Sequence, residues 1–342
     1  MKRILTLFFV LLAAVFIYLV WVLLGPATSF PQKNKSLYVY TGKTDRATVM
    51  ATLSSGEYIS HPAIFDWVAQ QMGVWEKIKP GRYEIDHGSS LLSLLRRLNN
   101  GRQTPIRLVL TKVRTKEELA SALGNLFECD STEVMQYLEN PDSAQVFGLD
   151  TNDILCAVIP NTYQIYWNTP PSQLMHRFYT EQERFWTPER KTAAAGLGMT
   201  TTQAYILASI VEEETNKESD KPLIASVYLN RMAKGMRLGA DPTVKFALRD
   251  FTLKRIYDKY TRFVSPYNTY LNSGLPPGPI CTPSVRTLDA VLKAPQTDYL
   301  YFVAKPDFSG YSNFAADYAT HMINAKAYQT ALDSLIQAKE AK

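Results

Sequence analysis

The chain has 342 residues, 46% hydrophobic and 20% charged, which is enough for two domains with cores of their own and excludes a disordered or fibrous polymer. A net charge of +5 with no basic run gives no sign of nucleic-acid binding, though it suits an anionic polymer or a lipid surface. Three cysteines (Cys129, Cys156, Cys281) are too few for a disulfide scaffold, although one pair could bridge; neither they nor the four scattered histidines show metal-ligand spacing or a local Ser-His-Asp motif.

Residues 4–24, ILTLFFVLLAAVFIYLVWVLL, carry no charge. A helix of about 20 such residues spans a bilayer core of about 30 Å, so a transmembrane helix is predicted. The rival is a cleaved signal peptide, whose apolar core runs to about 7–15 residues and ends in small residues. Here the run is longer and ends in GPATSF. Lys2 and Arg3 precede it, which leaves residues 1–3 in the cytoplasm and sends everything after Gly25 outward.

Residues 25–35 read as a polar linker. Three windows then share one plan: YVYTGKTDRATVMATL (38–53), YEIDHGSSLLSLLRRL (83–98) and LVLTKVRTKEELASAL (108–123). Each opens with apolar residues two apart, as a half-buried strand does, and passes through a turn and a Ser, Thr or Asp cap into an amphipathic helix. Leu91, Leu94, Leu95 and Leu98 form one such stripe, stopped by NNG at Gly101, and Phe65, Val68, Ala69 and Met72 mark another helix. The expectation is a small α/β region over 36–125 that binds or positions a polymer.

From 126 to 195 the chain is mixed and aromatic, with IPNTYQIYWNTPP as its landmark. LGMTTTQAYILASIVEEETN then starts a helix capped by threonine. At 100° per residue from Leu207, Ile210 falls at about −60°, Val211 at about +40° and Glu214 at about −20°. Glu214 thus lies under the apolar stripe, while Glu212 and Glu213 fall on the polar side and are expected to face water. A carboxyl beside apolar groups at a helix C-terminus keeps its proton to higher pH, as a general acid must. The alternative is that Glu214 ends the helix and turns into water.

Ile224, Val227, Tyr228 and Met232 form the next stripe, which Gly235 ends. Asp241, Pro242 and Thr243 read as a cap, a first-turn proline and a helix start, with Asp241 as a second catalytic carboxylate the less favoured reading. In SPYNTYLNSGLPPGPICTP, residues Tyr267, Asn268, Thr269 and Tyr270 have the chemistry to line a sugar site. DYLYFVA reads as a buried strand, and Tyr328, Leu332 and Leu335 share one face of a C-terminal helix.

Taken in order, LASIVEEET, ASVYLNRMAKGMRLGADPTV, YNTYLNSGLPPGPI and YLYFVA, behind an apolar N-terminal segment and IKPGRYEI, resemble the endolytic murein transglycosylases, the YceG-like family. The resemblance implies an α+β chain with a single transmembrane helix, a LysM-like module over 36–125 and a catalytic domain over 126–342. It places the chain in a bacterial inner membrane with its catalytic domain periplasmic. It also implies a carbon–oxygen lyase that cleaves the β-1,4 bond between N-acetylmuramic acid and N-acetylglucosamine in nascent glycan strands, leaves 1,6-anhydromuramyl ends and helps terminate strand elongation.

By the same resemblance Glu214 is catalytic, and Asn230, Asp241, Thr243, Tyr267, Asn268, Thr269 and Tyr270 are candidate contacts to the glycan. No metal or organic cofactor is needed. The partners are peptidoglycan strands, the bilayer through residues 4–24 and peptidoglycan synthases. The sequence departs from the family pattern at Gly239 (usually Gln), Ser312 (usually His), Asn161 (often Asp) and Thr320 (usually acidic). A weak or inactive peptidoglycan-binding scaffold is the alternative these departures leave open.

Overall fold

The computed structural model describes residues 2–28 and 30–340, with the backbone alone for Lys2 and residues 338–340. Met1 of the expected cytoplasmic tail, Ser29 of the expected linker, and the last two residues of the expected catalytic region lie outside the described residues. The chain divides into two compact units.

The first unit comprises residues 1–108, 124–130 and 163–170. It opens with helix α1 (Lys2–Leu24), followed by β1 (Asn34–Val39), α2 (Arg46–Ser55), α3 (Pro62–Gln71), β2 (Gly81–Asp86) and α4 (Leu91–Asn99). The first two windows therefore form the strand-turn-helix units their patterns predict. Asp45 caps α2 by accepting from the Thr48 amide at 2.9 Å, and Ser90 caps α4 through the Ser93 amide at 3.2 Å. β1 and β2 pair antiparallel with Leu37 opposite Tyr83, and the inward residues Leu37, Val39, Tyr83 and Ile85 meet Phe65, Leu53 and the leucine stripe of α4.

α1 behaves differently. Its side chains are exposed from Arg3 to Trp21, and burial begins at Val22. At 22 residues with a mean hydropathy of 3.0, Arg3–Leu24 is long and apolar enough to cross a membrane. Its last turn packs against α4. Beyond it the chain is docked: the Ala27 amide donates to the Ser89 carbonyl at 2.9 Å, the Gly88 amide to the Thr28 hydroxyl at 2.8 Å, and Phe30 is buried.

The chain passes into the second unit within β3 (Ile106–Leu110), and β4 (Asn161–Ile165) is likewise divided between the units. Between them lie α5 (Lys116–Gly124), α6 (Ser131–Glu139) and α7 (Pro141–Gln145). After β4 come α8 (Pro171–Phe185), α9 (Pro188–Gly196), α10 (Thr201–Glu214), α11 (Lys221–Ala233), α12 (Asp241–Leu248), α13 (Asp258–Thr261), α14 (Val285–Leu292), β5 (Tyr301–Ala304), β6 (Ser312–Ala315) and α15 (Tyr318–Glu340).

α10 is the centre of this unit. Thr200 and Gln203 close a capping box at its start, and every residue from Ala204 to Val211 is buried. α11, α12 and α14 pack around it. The expected one-sided apolar stripe is therefore a helix buried all round, and that changes what the polar side of the stripe can mean. β5 also departs from expectation: it is half-buried, pairing antiparallel with β6 in a short hairpin. Cys156 and Cys281 are buried thiols pushed well up by that burial, which removes them as nucleophiles.

Candidate active site

Emerging from the buried part of α10, the three glutamates part company. Glu212 accepts hydrogen bonds from the Ser284 hydroxyl at 3.0 Å and from Thr287, with the Lys221 ammonium at 3.6 Å. Glu213 pairs with Lys112 at 2.7 Å and Arg114 at 3.1 Å, its side chain only 16% exposed. Burial alone would raise the Glu213 carboxyl, but the two cations outweigh it and hold the group below its ordinary range. The expectation that Glu212 and Glu213 face water is thus corrected. Because α10 has neighbours on every side, its polar side meets α11, α14 and the segment before α5 instead of solvent.

Glu214 alone turns into a cleft. Its carboxyl accepts a hydrogen bond from the Tyr228 hydroxyl, offered from α11. Burial pushes it from 4.5 up to about 7; the Tyr228 hydrogen bond opposes the rise, the Asp241 charge adds to it, and Lys245 and Arg231 act against it. At neutral pH such a group divides between acid and carboxylate, so it can both give and take a proton.

The cleft has a volume of about 400 Å³. Asp241 lies on its wall and accepts a hydrogen bond from the Tyr270 hydroxyl at 2.6 Å. It does not cap α12, as the sequence suggests; the cap position falls to Ala240 and has no side-chain bond, which leaves the Asp241 carboxylate for the cleft. Arg231 donates to the carbonyls of Leu300 at 2.7 Å and Leu238 at 2.6 Å and lies 5.3 Å from the centre of the Tyr301 ring. This fixes a cation on the wall. Tyr301 and Phe302 of β5, with Tyr318 and His321 of α15, also line the cleft. His321 stacks on Tyr301 at 5.1 Å, and burial with the nearby Arg231 lowers its proton affinity, so it faces the cleft as a neutral ring.

Of the residues predicted for the site, the cleft brings together Glu214, Asp241 and Tyr270. The others lie in the frame behind it. Asn230 donates to the carbonyls of Thr297 and Tyr299, both at 2.9 Å. Thr243 and Thr269 are buried and bond to each other at 2.9 Å, while Thr269 accepts from the Ala240 amide at 3.0 Å. Asn268, also buried, donates to the carbonyls of Thr261 and Phe263 and accepts from the Tyr270 amide at 2.9 Å, shaping the turn that presents Tyr270. Tyr267 packs on Phe246 at 4.7 Å.

Sequence reasoning missed Tyr228, Arg231, Tyr301, Phe302, Tyr318 and His321 as cleft residues. Tyr228 and Arg231 are three apart on one helix and so share a face, a signal that was available. Among the departures, Gly239 lines the cleft with φ of +57°, and a Cβ there would lie 3.6 Å from the Arg231 guanidinium. Ser312 donates its amide to Asp220 at 2.7 Å, Thr320 bonds Asp317 at the start of α15, and Asn161 bonds the Thr162 amide.

The model of the YceG-like family matches residues 37–327. The chain belongs to the YceG-like family. The endolytic murein transglycosylase of Bacillus subtilis strain 168 is 25% identical over 298 residues, which cover 83% of this chain and 82% of that one. Its counterpart from Streptococcus pneumoniae strain D39 is 26% identical over 309 residues, covering 79% of this chain but 55% of its own length. The crystal structure of a YceG-like protein from Listeria monocytogenes superposes with a TM-score of 0.55 at 25% identity, over 85% of this chain and 98% of that one. Membership of the YceG-like family, with the likeness to the Listeria structure, agrees with the mixed α+β fold.

Proposed function

We propose that this member of the YceG-like family is an endolytic peptidoglycan lytic transglycosylase, with Glu214 as its single acid–base catalyst. The observation that carries the reading is a carboxyl with its affinity for the proton raised to about 7, on the wall of a cleft lined with aromatic rings. Protonated Glu214 gives its proton to the glycosidic oxygen as the bond from that oxygen to C1 of the muramyl sugar breaks. The carboxylate then takes the proton of the muramyl 6-hydroxyl, whose oxygen bonds to C1 and closes the 1,6-anhydro ring. One carboxyl suffices because the nucleophile belongs to the substrate and is already in place. Asp241 supplies negative charge beside the ring while positive charge develops on it, and Tyr228 steadies Glu214 in its ionised form.

The substrate in this reading is the β-1,4 bond between N-acetylmuramic acid and N-acetylglucosamine in nascent strands, and cleavage there ends strand growth beside a synthase. The strand–helix units of residues 36–125 act as a LysM-like glycan-binding module ahead of a catalytic region over 126–342. Purified glycan strands incubated with the protein should yield 1,6-anhydromuramyl ends, identified by mass spectrometry. Reducing muramyl ends would mark a hydrolase. Binding without any new ends would favour the scaffold reading, to which Gly239 lends support by leaving that wall of the cleft without a side chain.

A pH profile tests the part given to Tyr228. Its hydroxyl stabilises the Glu214 carboxylate, so Tyr228→Phe should raise the Glu214 proton affinity further. The alkaline limb of the rate profile should move to higher pH while the maximal rate falls by about tenfold, since the carboxylate that must form is no longer steadied. An unmoved limb would remove Tyr228 from the mechanism.

α1 holds the chain in the bacterial inner membrane in this reading, with Lys2 and Arg3 on the cytoplasmic side and everything after Gly25 outside. The protein should fractionate with the inner membrane and keep Lys2 at or near its mature N-terminus. Recovery of a soluble form starting near Ala27 or Ser29 would mark α1 as a cleaved signal instead.

A further inference from the structure

A second cleft, of about 620 Å³, opens in the first unit where α1 meets α4. It is lined by Arg96, Arg97 and Arg102, with Ser93, Asn100 and Leu24 of α1 among its other residues and no carboxylate. Arg97 is 3.3 Å from Asp86. Arg96 and Arg102 have no ion-pair partner among the described residues, and both are exposed. Cations at the last turn of a helix are favoured by its dipole, which accounts for Arg96 and Arg97. It does not account for Arg102, which lies beyond the turn, or for the closeness of all three to Leu24.

The height of this cleft follows from α1. A helix of 23 residues is about 34 Å long, against a hydrocarbon layer of about 30 Å, so Leu24 ends at the boundary between acyl chains and headgroups. Trp21, exposed and about one turn before it, lies near the level where such rings anchor. The backbone after the helix leaves little room to drift away. Pro26 bridges Ser90 and the Ala27 amide bonds Ser89, so the start of α4 is held beside the end of the span. The arginines are thereby set at the depth of lipid phosphates, and their planar forks match a phosphate oxygen pair.

We propose that this cleft binds the phosphate of a membrane lipid, either an anionic phospholipid or a polyprenyl diphosphate, on the side of the membrane where the folded units lie. The assignment rests on α1 spanning the bilayer but not on the chemistry of Glu214. The full-length protein, purified in neutral detergent, is offered phosphatidylglycerol, a long-chain polyprenyl diphosphate, phosphatidylcholine or inorganic phosphate, and retention is read by native mass spectrometry. The wild type should retain one of the first two at least tenfold over phosphatidylcholine, and the one retained names the source. Arg96→Gln with Arg102→Gln should erase that preference, while both proteins float equally with phosphatidylcholine vesicles. Equal retention of all three lipids by the wild type would overturn the assignment without recourse to any variant. So would a lipid preference that survives the double substitution, or capture of inorganic phosphate with no lipid preference. If the wild type failed to float at all, the anchor reading would fall and take the lipid assignment with it.

Discussion

Glu214→Gln should lower the release of 1,6-anhydromuramyl ends by two to four orders of magnitude, about the range that a positioned general acid contributes. An amide of nearly the same shape can still accept the Tyr228 hydrogen bond but cannot deliver a proton. The same substitution should stabilise the fold at neutral and alkaline pH. Below pH 4.5 the carboxyl is protonated whether the chain is folded or not; between 4.5 and about 7 it is protonated only in the folded state, so stability falls as pH rises through that window. Above about 7 the folded protein bears the whole penalty, which glutamine escapes. Melting curves of the two proteins should therefore diverge as pH rises, with the variant ahead by on the order of 1–3 kcal/mol at pH 8. A variant that is inactive but no more stable at alkaline pH would show that Glu214 is not held against its charge.

Glu213→Gln should behave in the opposite way. It removes the negative charge that pairs with both Lys112 and Arg114, at 2.7 and 3.1 Å, and leaves the two cations without it. Losing one partner of a buried pair costs about 3–5 kcal/mol, but Lys112 and Arg114 are each about a third exposed, so solvent screening brings the expected loss to about 1–3 kcal/mol. The Glu213 carboxyl is held below its ordinary 4.5, so the stability it contributes is present above that value and disappears as pH falls through its folded-state titration. Denaturant midpoints of wild type and variant should thus separate at pH 7 and converge in acid. Activity per folded molecule should be largely retained, and its loss would place Glu213 in the chemistry.

Helix phase puts Glu214 on the side of Ile210 and Val211, which are buried, and that side does carry its carboxyl out of water, though into a cleft walled by polar and charged groups as well as rings. Glu212 and Glu213 escape helix phase, because a phase angle says which side a residue lies on and not what waits there. With α11, α12 and α14 packed round α10, the answer was other protein groups. Local signals served well where the determinant was local, as with the Ser90 cap, the leucines of α4 and the Thr200 capping box. They failed where distant segments supplied the partner. Tyr228 looked like one more apolar stripe residue and Asp241 like a helix cap, and only the arrival of α10 beside one and of the 265–283 segment beside the other gave each its bond. Asn268 and Thr269 have the chemistry of sugar contacts, yet both are spent on backbone and neighbouring hydroxyls.

The docking of residues 26–30 onto the first unit bears on how the chain could be rebuilt. A slack connection between a span and its folded part works as a leash, and lengthening a leash changes little, since its end-to-end reach grows only with the square root of the added residues. Here Ala27 and Phe30 are buried and Pro26 bridges Ser90, so the connection is a hinge pin set into the unit itself. Inserting glycine and serine between Leu24 and Ala27 would therefore do more than add play. It would uncouple the orientation of α1 from that of α4, and, if α1 spans the membrane as proposed, the folded part after Leu24 would gain freedom to roll over the bilayer.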